Sequence, residues 1–183
     1  MGWHVHKRND HDMRQLLLRT ALLLLTAAAT LAAASANKLY IKSFSIAPGE
    51  SKVVEVYMVN DTPVRAVEML VVLPAGLTLS PEQTVLTGRQ NGHTLSARLT
   101  SKGYRVLAFS TNNTPFRGND GPLMELTVTA DSGFDRSGTI EMSEIIMESE
   151  SGAPLVEMGR CTCDALWAPA AATPAGGKPD INP

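Results

Sequence analysis

The side chains able to do chemistry are few, and their spacing does not gather them. Of the four histidines only His93 lies beyond residue 36, in the run Asn91-Gly92-His93, which reads as a hairpin tip. A Ser-His-Asp triad or a zinc site needs partners that no spacing here supplies. Glu141, Glu144, Glu148 and Glu150 are the carboxylates a glycosidase reading would use, yet their neighbours suit a solvated strand edge and hairpin, whereas glycosidase carboxylates face each other across a cleft. Asp131, Asp135 and Asn119-Asp120 put oxygens in turns without the D-x-D-x-D-G spacing of a calcium loop, and turn-forming Asp accounts for them. No Gly-rich phosphate loop and no H-E-x-x-H occurs, so no catalytic residue, metal or cofactor is assigned, and the chain reads as a non-enzyme.

Cys161-Thr162-Cys163 is the one unusual cluster. On a strand the two thiols share a face, and two ligands cannot complete a tetrahedral metal site. Three readings stay open: two small residues of a last strand, a disulfide or redox pair with each other, or a bond to another chain in an oxidising compartment. A bridge from i to i+2 stretches the Cα separation toward the long end of disulfide geometry.

The elements that must position these residues follow from composition and period. The 183 residues are 44% apolar and 19% charged, with 16 Lys plus Arg against 18 Asp plus Glu. Neither a wholly disordered chain nor an integral membrane protein has that composition. Nucleic acid is excluded as a partner because no basic block lies beyond the N-terminus to neutralise phosphates. Residues 1–36 carry Lys7, Arg8, Arg14 and Arg19, then an apolar run from Ala21 to Ala34, then Ala34-Ser35-Ala36, the layout of a cleaved export signal. The run is shorter than the roughly 20 residues of a membrane span, so no transmembrane anchor is expected and the protein is placed outside the cytoplasm, whether periplasmic, surface-bound or secreted.

What remains is 147 residues with 12 basic and 16 acidic side chains, enough for one domain that folds without staples. Its apolar residues recur with period two in short runs, predicting about nine strands: Lys38 to Ile46, Val53 to Asn60, Val67 to Leu73, Thr94 to Leu99, Tyr104 to Ser110, Leu123 to Ala130, Thr139 to Met142, Ile145 to Glu148 and Leu155 to Cys163. Pro48-Gly49, Asn60-Asp61, Asn91-Gly92, Lys102-Gly103, Ser132-Gly133 and Ser151-Gly152 separate them. So many strands in one domain require two stacked sheets, an all-β antiparallel sandwich. The domain is expected over residues 37–167, and the Ala/Pro/Gly-rich stretch 168–183 is expected to be a flexible tail.

Three segments carry a resemblance. Asn37-Lys38-Leu39-Tyr40-Ile41, then Ile46-Ala47-Pro48-Gly49-Glu50, then Val67 through Leu73 with Pro74-Ala75-Gly76-Leu77 are similar to the opening of cohesin-like domains. Tyr104 to Ser110 followed by Gly118-Asn119-Asp120-Gly121-Pro122-Leu123 resembles that family's paired strands and their loop. The likeness runs from Asn37 to about Cys163. It implies a jelly-roll sandwich related to cellulose-binding modules, exported in a polysaccharide-degrading system, with a sheet face that docks a dockerin-type protein module. Carbohydrate binding on the same sandwich is the alternative, although no strand shows aromatics alternating on one face. Period two sends Val67, Met69, Val71 and Leu73 inward and Leu70 and Val72 outward. It sends Leu95, Ala97 and Leu99 inward with Ser96 and Arg98 outward, and Met124, Leu126 and Val128 inward with Glu125 and Thr127 outward. In the Tyr104 to Ser110 strand both Val106 with Ala108 and Arg105 with Leu107 and Phe109 could be core. In cohesins the corresponding four strands form one sheet, so the resemblance implies a contact face of Leu70, Val72, Ser96, Arg98, Glu125 and Thr127, unless loops or the tail cover Leu70 and Val72.

The first testable outcome concerns processing. Mass spectrometry of the protein from its native host is expected to find a terminus at Asn37 or within a residue or two; an intact Met1 terminus in the cytoplasm would overturn the export signal.

Overall fold

The computed structural model describes residues 37–170, so the expected signal segment 1–36 and the tail from residue 171 lie outside the described residues. Among them are eleven strands: β1 Lys38–Ile41, β2 Phe44–Ile46, β3 Ser51–Val59, β4 Val64–Val72, β5 Leu77–Leu79, β6 Val85–Leu86, β7 His93–Thr100, β8 Gly103–Ser110, β9 Pro122–Ala130, β10 Gly138–Ser149 and β11 Pro154–Trp167. One 3-10 turn, Pro81–Gln83, joins β5 to β6. The first sheet runs β1-β3-β9-β5 with β6 also on β9, and the second runs β2-β11-β10-β4-β8-β7. All pairings are antiparallel except β2 with β11. This is the two-sheet β-sandwich that the alternation implied, and the resemblance implied its jelly-roll form.

Two changes of parity explain where the strands differ from expectation. Leu39 and Ile41 are buried at odd positions, but Ile46 is buried at an even one, so the expected Lys38 to Ile46 strand breaks at Lys42-Ser43. Its first half joins the first sheet and its second half the other. In β10, Ile140 and Met142 are buried at even positions and Ile145 and Met147 at odd ones. Here the chain does not break. The partners of Met142 and Ile145 are Cys161 and Gly159, so β10 carries one extra residue, a β-bulge with Glu144 at φ 48°. The two expected strands Thr139 to Met142 and Ile145 to Glu148 are therefore one.

The core lies between the sheets and is filled by aliphatic side chains and by Met58, Met69, Met124, Met142 and Met147, with Phe116 and Phe134 the buried aromatics. Unbranched Met fills irregular space, which suits a core this poor in aromatic rings. Leu99, expected inside, is 65% exposed. It lies next to the end of β7, an edge strand of its sheet, and the opposite sheet finishes in β5 and β6, only three and two residues long. The backbone at Gly103 has φ +138°, and a Cβ there would meet the Val71 carbonyl oxygen at 2.6 Å, so the tight β7–β8 hairpin requires glycine. The last pairing extends past Trp167, since Ala168 N–H donates to the Ile46 carbonyl at 3.1 Å.

Arg89 fastens one end of the sandwich. It is 8% exposed, and its guanidinium donates to the carbonyls of Arg117 (2.7 Å), Met58 (2.7 Å), Gly121 (3.2 Å) and Gly118 (2.9 Å) and to Asn60 Oδ1 (2.8 Å). These acceptors lie on the connections β3 to β4 and β8 to β9 or next to them, and Arg89 itself lies on β6 to β7. Replacing it by an apolar side chain orphans several buried carbonyls at about 1–3 kcal/mol each. Arg89→Met is expected to lower the unfolding free energy by about 3 kcal/mol or more in chemical denaturation, and a loss below about 1 kcal/mol would show that the clasp is not structural.

Candidate functional site

The outer face of the six-stranded sheet can be laid out from its registers. Ala66 pairs with Phe109 and Phe109 with Thr94; Glu68 pairs with Leu107 and Leu107 with Ser96; Leu70 pairs with Arg105 and Arg105 with Arg98. On the other flank of β4, Glu148, Ile146 and Ser143 stand opposite Ala66, Glu68 and Leu70. With Val106 and Ala108 fully buried, Arg105, Leu107 and Phe109 point outward, which settles the ambiguous strand.

Ser96 and Arg98 are exposed on this face, and Val72 is 36% exposed. Leu70 is a correction: it points outward yet is only 4% exposed, and it lies outside the core cluster. The β10 bulge explains it. Glu144, next to Ser143 on one side of Leu70, bonds to Arg105 on the other, so the ion pair spans β4 at Leu70. Arg105 also holds Glu68 at 2.9 Å, and Lys102 stands 3.6 Å from Glu144. Bonding to Arg105 holds the Glu144 carboxyl below its ordinary range; burial opposes it, and the charges of Arg105 and Lys102 add to the lowering. Glu125 and Thr127 are the second correction. They lie on β9, which pairs with β3 in the first sheet, so they are on the opposite side of the sandwich from the other four. The fourth strand of the face is β10. Period two separates inside from outside but does not say which sheet a strand joins.

The face carries a trough that sequence reasoning missed. Ala66, Leu107, Phe109 and Ile146 floor a depression of about 320 Å³ edged by Arg65, Glu68 and Glu148. Ile146 and Glu148 continue into a second depression of about 400 Å³ with Gly152, Pro154, Glu157 and Met158, and Met158 is 70% exposed. The floor thus crosses β8, β4, β10 and β11. Arg65 is paired with Glu148 at 3.1 Å, while Glu157 makes no salt bridge among the described residues. The signal available in the sequence was Leu107 and Phe109 alternating with the smaller Val106 and Ala108.

The outer face of the first sheet is different. Tyr40 and Tyr57, paired across β1 and β3, stack with centroids 5.2 Å apart, and Lys38 and Lys42 sit over them at 5.5 and 4.1 Å. A cross-strand aromatic pair of this kind cannot be seen within any one strand. Its rings are engaged by each other and by ammonium groups.

The other chemical candidates are dispersed. Glu141 pairs with Arg160, Glu144 with Arg105 and Glu148 with Arg65, all along one strand, and Glu150 is exposed beyond it, so they do not face one another across a cleft. Cys161 and Cys163 are free and face the core opposite Met142 and Ile140. Burial first, then the neighbouring Cys161 and Asp164, pushes the Cys163 thiol up to about 11, and burial raises Cys161 too, so neither is a ready thiolate. Among the described residues no three His, Cys, Asp or Glu side chains gather as a metal site, and no helix is long and apolar enough to cross a membrane. His93 is buried against Phe116, with ring centroids 3.6 Å apart.

No protein-family model and no curated protein matches the chain. Solved structures do. The sixth cohesin of scaffoldin B from Acetivibrio cellulolyticus, solved in complex with a Cel5 dockerin, superposes with a TM-score of 0.60 at 17% identity, over 73% of this chain and 100% of that one. A non-cellulosomal cohesin from the archaeon Archaeoglobus fulgidus gives 0.58 at 13% identity, over 72% and 91%. A cohesin module of a family 33 glycoside hydrolase from Clostridium perfringens gives 0.53 at 13%, over 73% and 97%. The chain has a cohesin-like fold.

His93 supplies a pH test of the domain. Its Nδ1 accepts from Asn91 N–H at 3.1 Å, which leaves the proton on the buried Nε2. Burial lowers its pKa, with the Arg65 carbonyl opposing. The unfolded chain therefore binds the proton more readily, so this contribution is complete above about pH 6.5 and is lost as the pH falls below it. Stability measured by denaturant titration is expected to decline from pH 6.5 to 5, before the Glu144 carboxylate begins to protonate, and His93→Gln should flatten that decline. An equal slope in both proteins would exclude His93 as its source.

Proposed function

We propose that this domain is a non-catalytic protein-docking module of an exported system, binding its partner through the outer face of β10, β4, β8 and β7 and the adjoining part of β11. The observation that carries the reading is the apolar trough of Ala66, Leu107, Phe109 and Ile146 on a cohesin-like fold. Trp, Tyr, Phe, Met and Arg are the residue types that anchor protein interfaces, and Phe109, Met158 and Arg65 stand together here inside a charged rim. The Acetivibrio cellulolyticus cohesin was solved with a dockerin, and a dockerin-type module is the partner we assign to this chain. Export rests on the basic and apolar layout of residues 1–36, and a role in polysaccharide breakdown rests on the resemblance to cohesins. Val72, Ser96 and Arg98 belong to this face; Leu70 supports it from beneath the Arg105–Glu144 pair; Glu125 and Thr127 do not belong to it. The carbohydrate reading is weaker because the paired Tyr40 and Tyr57 are already engaged by each other and by ammonium groups.

Dockerin modules encoded by the same genome, titrated calorimetrically against the mature chain, test this. Leu107→Asp is expected to keep the melting profile and weaken binding at least tenfold, whereas Glu125→Lys on the opposite sheet should leave affinity unchanged. Binding that survives Leu107→Asp but fails with Glu125→Lys would move the site to the other sheet.

A further inference from the structure

Strand β7 closes one side of the six-stranded sheet, and its outer edge is open. It pairs with β8 from His93↔Ser110 to Thr100↔Gly103 without a register break, and among the described residues no backbone hydrogen bond joins Thr94–Leu99 to any other segment. The 3-10 turn Pro81–Gln83 lies beside it but bonds within its own turn and to β9.

Open edges in β proteins are normally blunted by proline, by a bulge, by several charges or by being short. The other edges here follow that rule. The free part of β11 has a bulge between the partners of Ile145 and Met147, with Met158 at φ 54°, and it carries Glu157 and Arg160; β1, β2 and β5 are four, three and three residues long. By contrast β7 reads HTLSARLT over eight residues, with no proline, no bulge and no acid. Its single charge, Arg98, makes no salt bridge among the described residues, and Leu99 beside it is 65% exposed.

We infer that β7 is a self-association edge, on which a second copy of this chain pairs antiparallel about a two-fold axis at Ala97. Alternation requires core-side residues to meet core-side residues across the new seam. Centred on Ala97, the register sets Leu95 opposite Leu99 in both directions, Ser96 opposite Arg98 and Thr94 opposite Thr100. Each exposed Leu99 then covers a half-buried Leu95, and Arg98 meets a hydroxyl. A register centred on Arg98 would oppose two guanidinium groups and is disfavoured. The small Ala97 at the axis admits close approach. Pairing joins the two six-stranded sheets into one and leaves both outer faces, with their troughs, on the same side, so the pair is bivalent for whatever binds there. The self-association itself does not depend on the docking reading.

The test uses the mature chain. Sedimentation velocity over a concentration series is expected to show a monomer–dimer equilibrium, and Leu99→Lys, which alters an exposed side chain, should raise the dissociation constant at least tenfold with the low-concentration melting profile unchanged. Opposed Cα atoms in an antiparallel pair lie about 4.5–5.5 Å apart, within disulfide reach. Under mild oxidation Ala97→Cys should therefore form a covalent dimer joined through the two introduced thiols, identified by peptide mass spectrometry, whereas the parent chain and Arg98→Cys should not. A chain that remains monomeric up to about 1 mM overturns the inference. So does a dimer that Leu99→Lys leaves intact, or a cross-link that forms at Arg98→Cys and not at Ala97→Cys.

Discussion

A single buried cation organises this sandwich. Among the described residues Arg89 makes no salt bridge; its charge is solvated by four backbone carbonyls and the Asn60 amide oxygen. Burial lowers the guanidinium's proton affinity, and the Asp120 carboxylate partly restores it. A desolvated charge is tolerated only when its donors are satisfied, so the acceptors must hold their places. They lie on or next to connections that carry the chain between the sheets, from β3 to β4 and from β8 to β9, while Arg89 sits on a third, from β6 to β7. The position of one sheet over the other at this end therefore follows from one side chain. Beside it Phe116 N–H donates to the Val64 carbonyl, Thr114 to the Asn91 carbonyl, and the His93 ring stacks on Phe116, so β4, β7 and β8 all meet the same anchored end.

From that end three adjacent strands run out to make the second sheet's outer face, and β10 completes it. The bulge at Ser143-Glu144 does two things there. It keeps Ile145 and Met147 in the core after Ile140 and Met142, and it turns Glu144 across β4 to Arg105. The ion-pair group Lys102, Glu144, Arg105 and Glu68 then covers Leu70 and borders the trough. These pairs are partly exposed, and their contribution to stability is small. Their effect on shape is larger: they divide the face into a sealed, charged part over Leu70 and an open, apolar part over Leu107 and Phe109. On the opposite sheet the lysines engage aromatic rings instead of carboxylates, so the two faces present different chemistry to a partner.

The likeness to cohesins at 13–17% identity has the same physical basis. A two-sheet core asks for apolar side chains at alternate positions and for turns of the right length, and many sequences meet that demand. The core here does so with five buried methionines and few aromatic rings. Such freedom in the core leaves the outer face to vary independently of the fold.

What the amino-acid sequence determined by itself was local and periodic. Alternation in Val54, Val56 and Met58, in Val67, Met69 and Val71 and in Met124, Leu126 and Val128 placed those residues in a sandwich core, because a strand turns successive side chains to opposite faces whatever it pairs with. The parity changes after Ile41 and after Met142 were also written in the residues, but a break and a bulge leave the same mark, and only the pairing of β10 with β11 and β4 tells them apart. Tertiary structure alone decided the rest. The sheet that β9 joins depends on β3, some seventy residues earlier, so Glu125 and Thr127 left the face on which Ser96 and Arg98 remain. Leu70 is sealed by an ion pair between residues 39 apart, Tyr40 meets Tyr57 across two strands, and Arg89 finds acceptors about 30 residues away on either side. Each of these is a contact between segments distant in sequence, and a period of two carries information about the next residue but one and nothing about them.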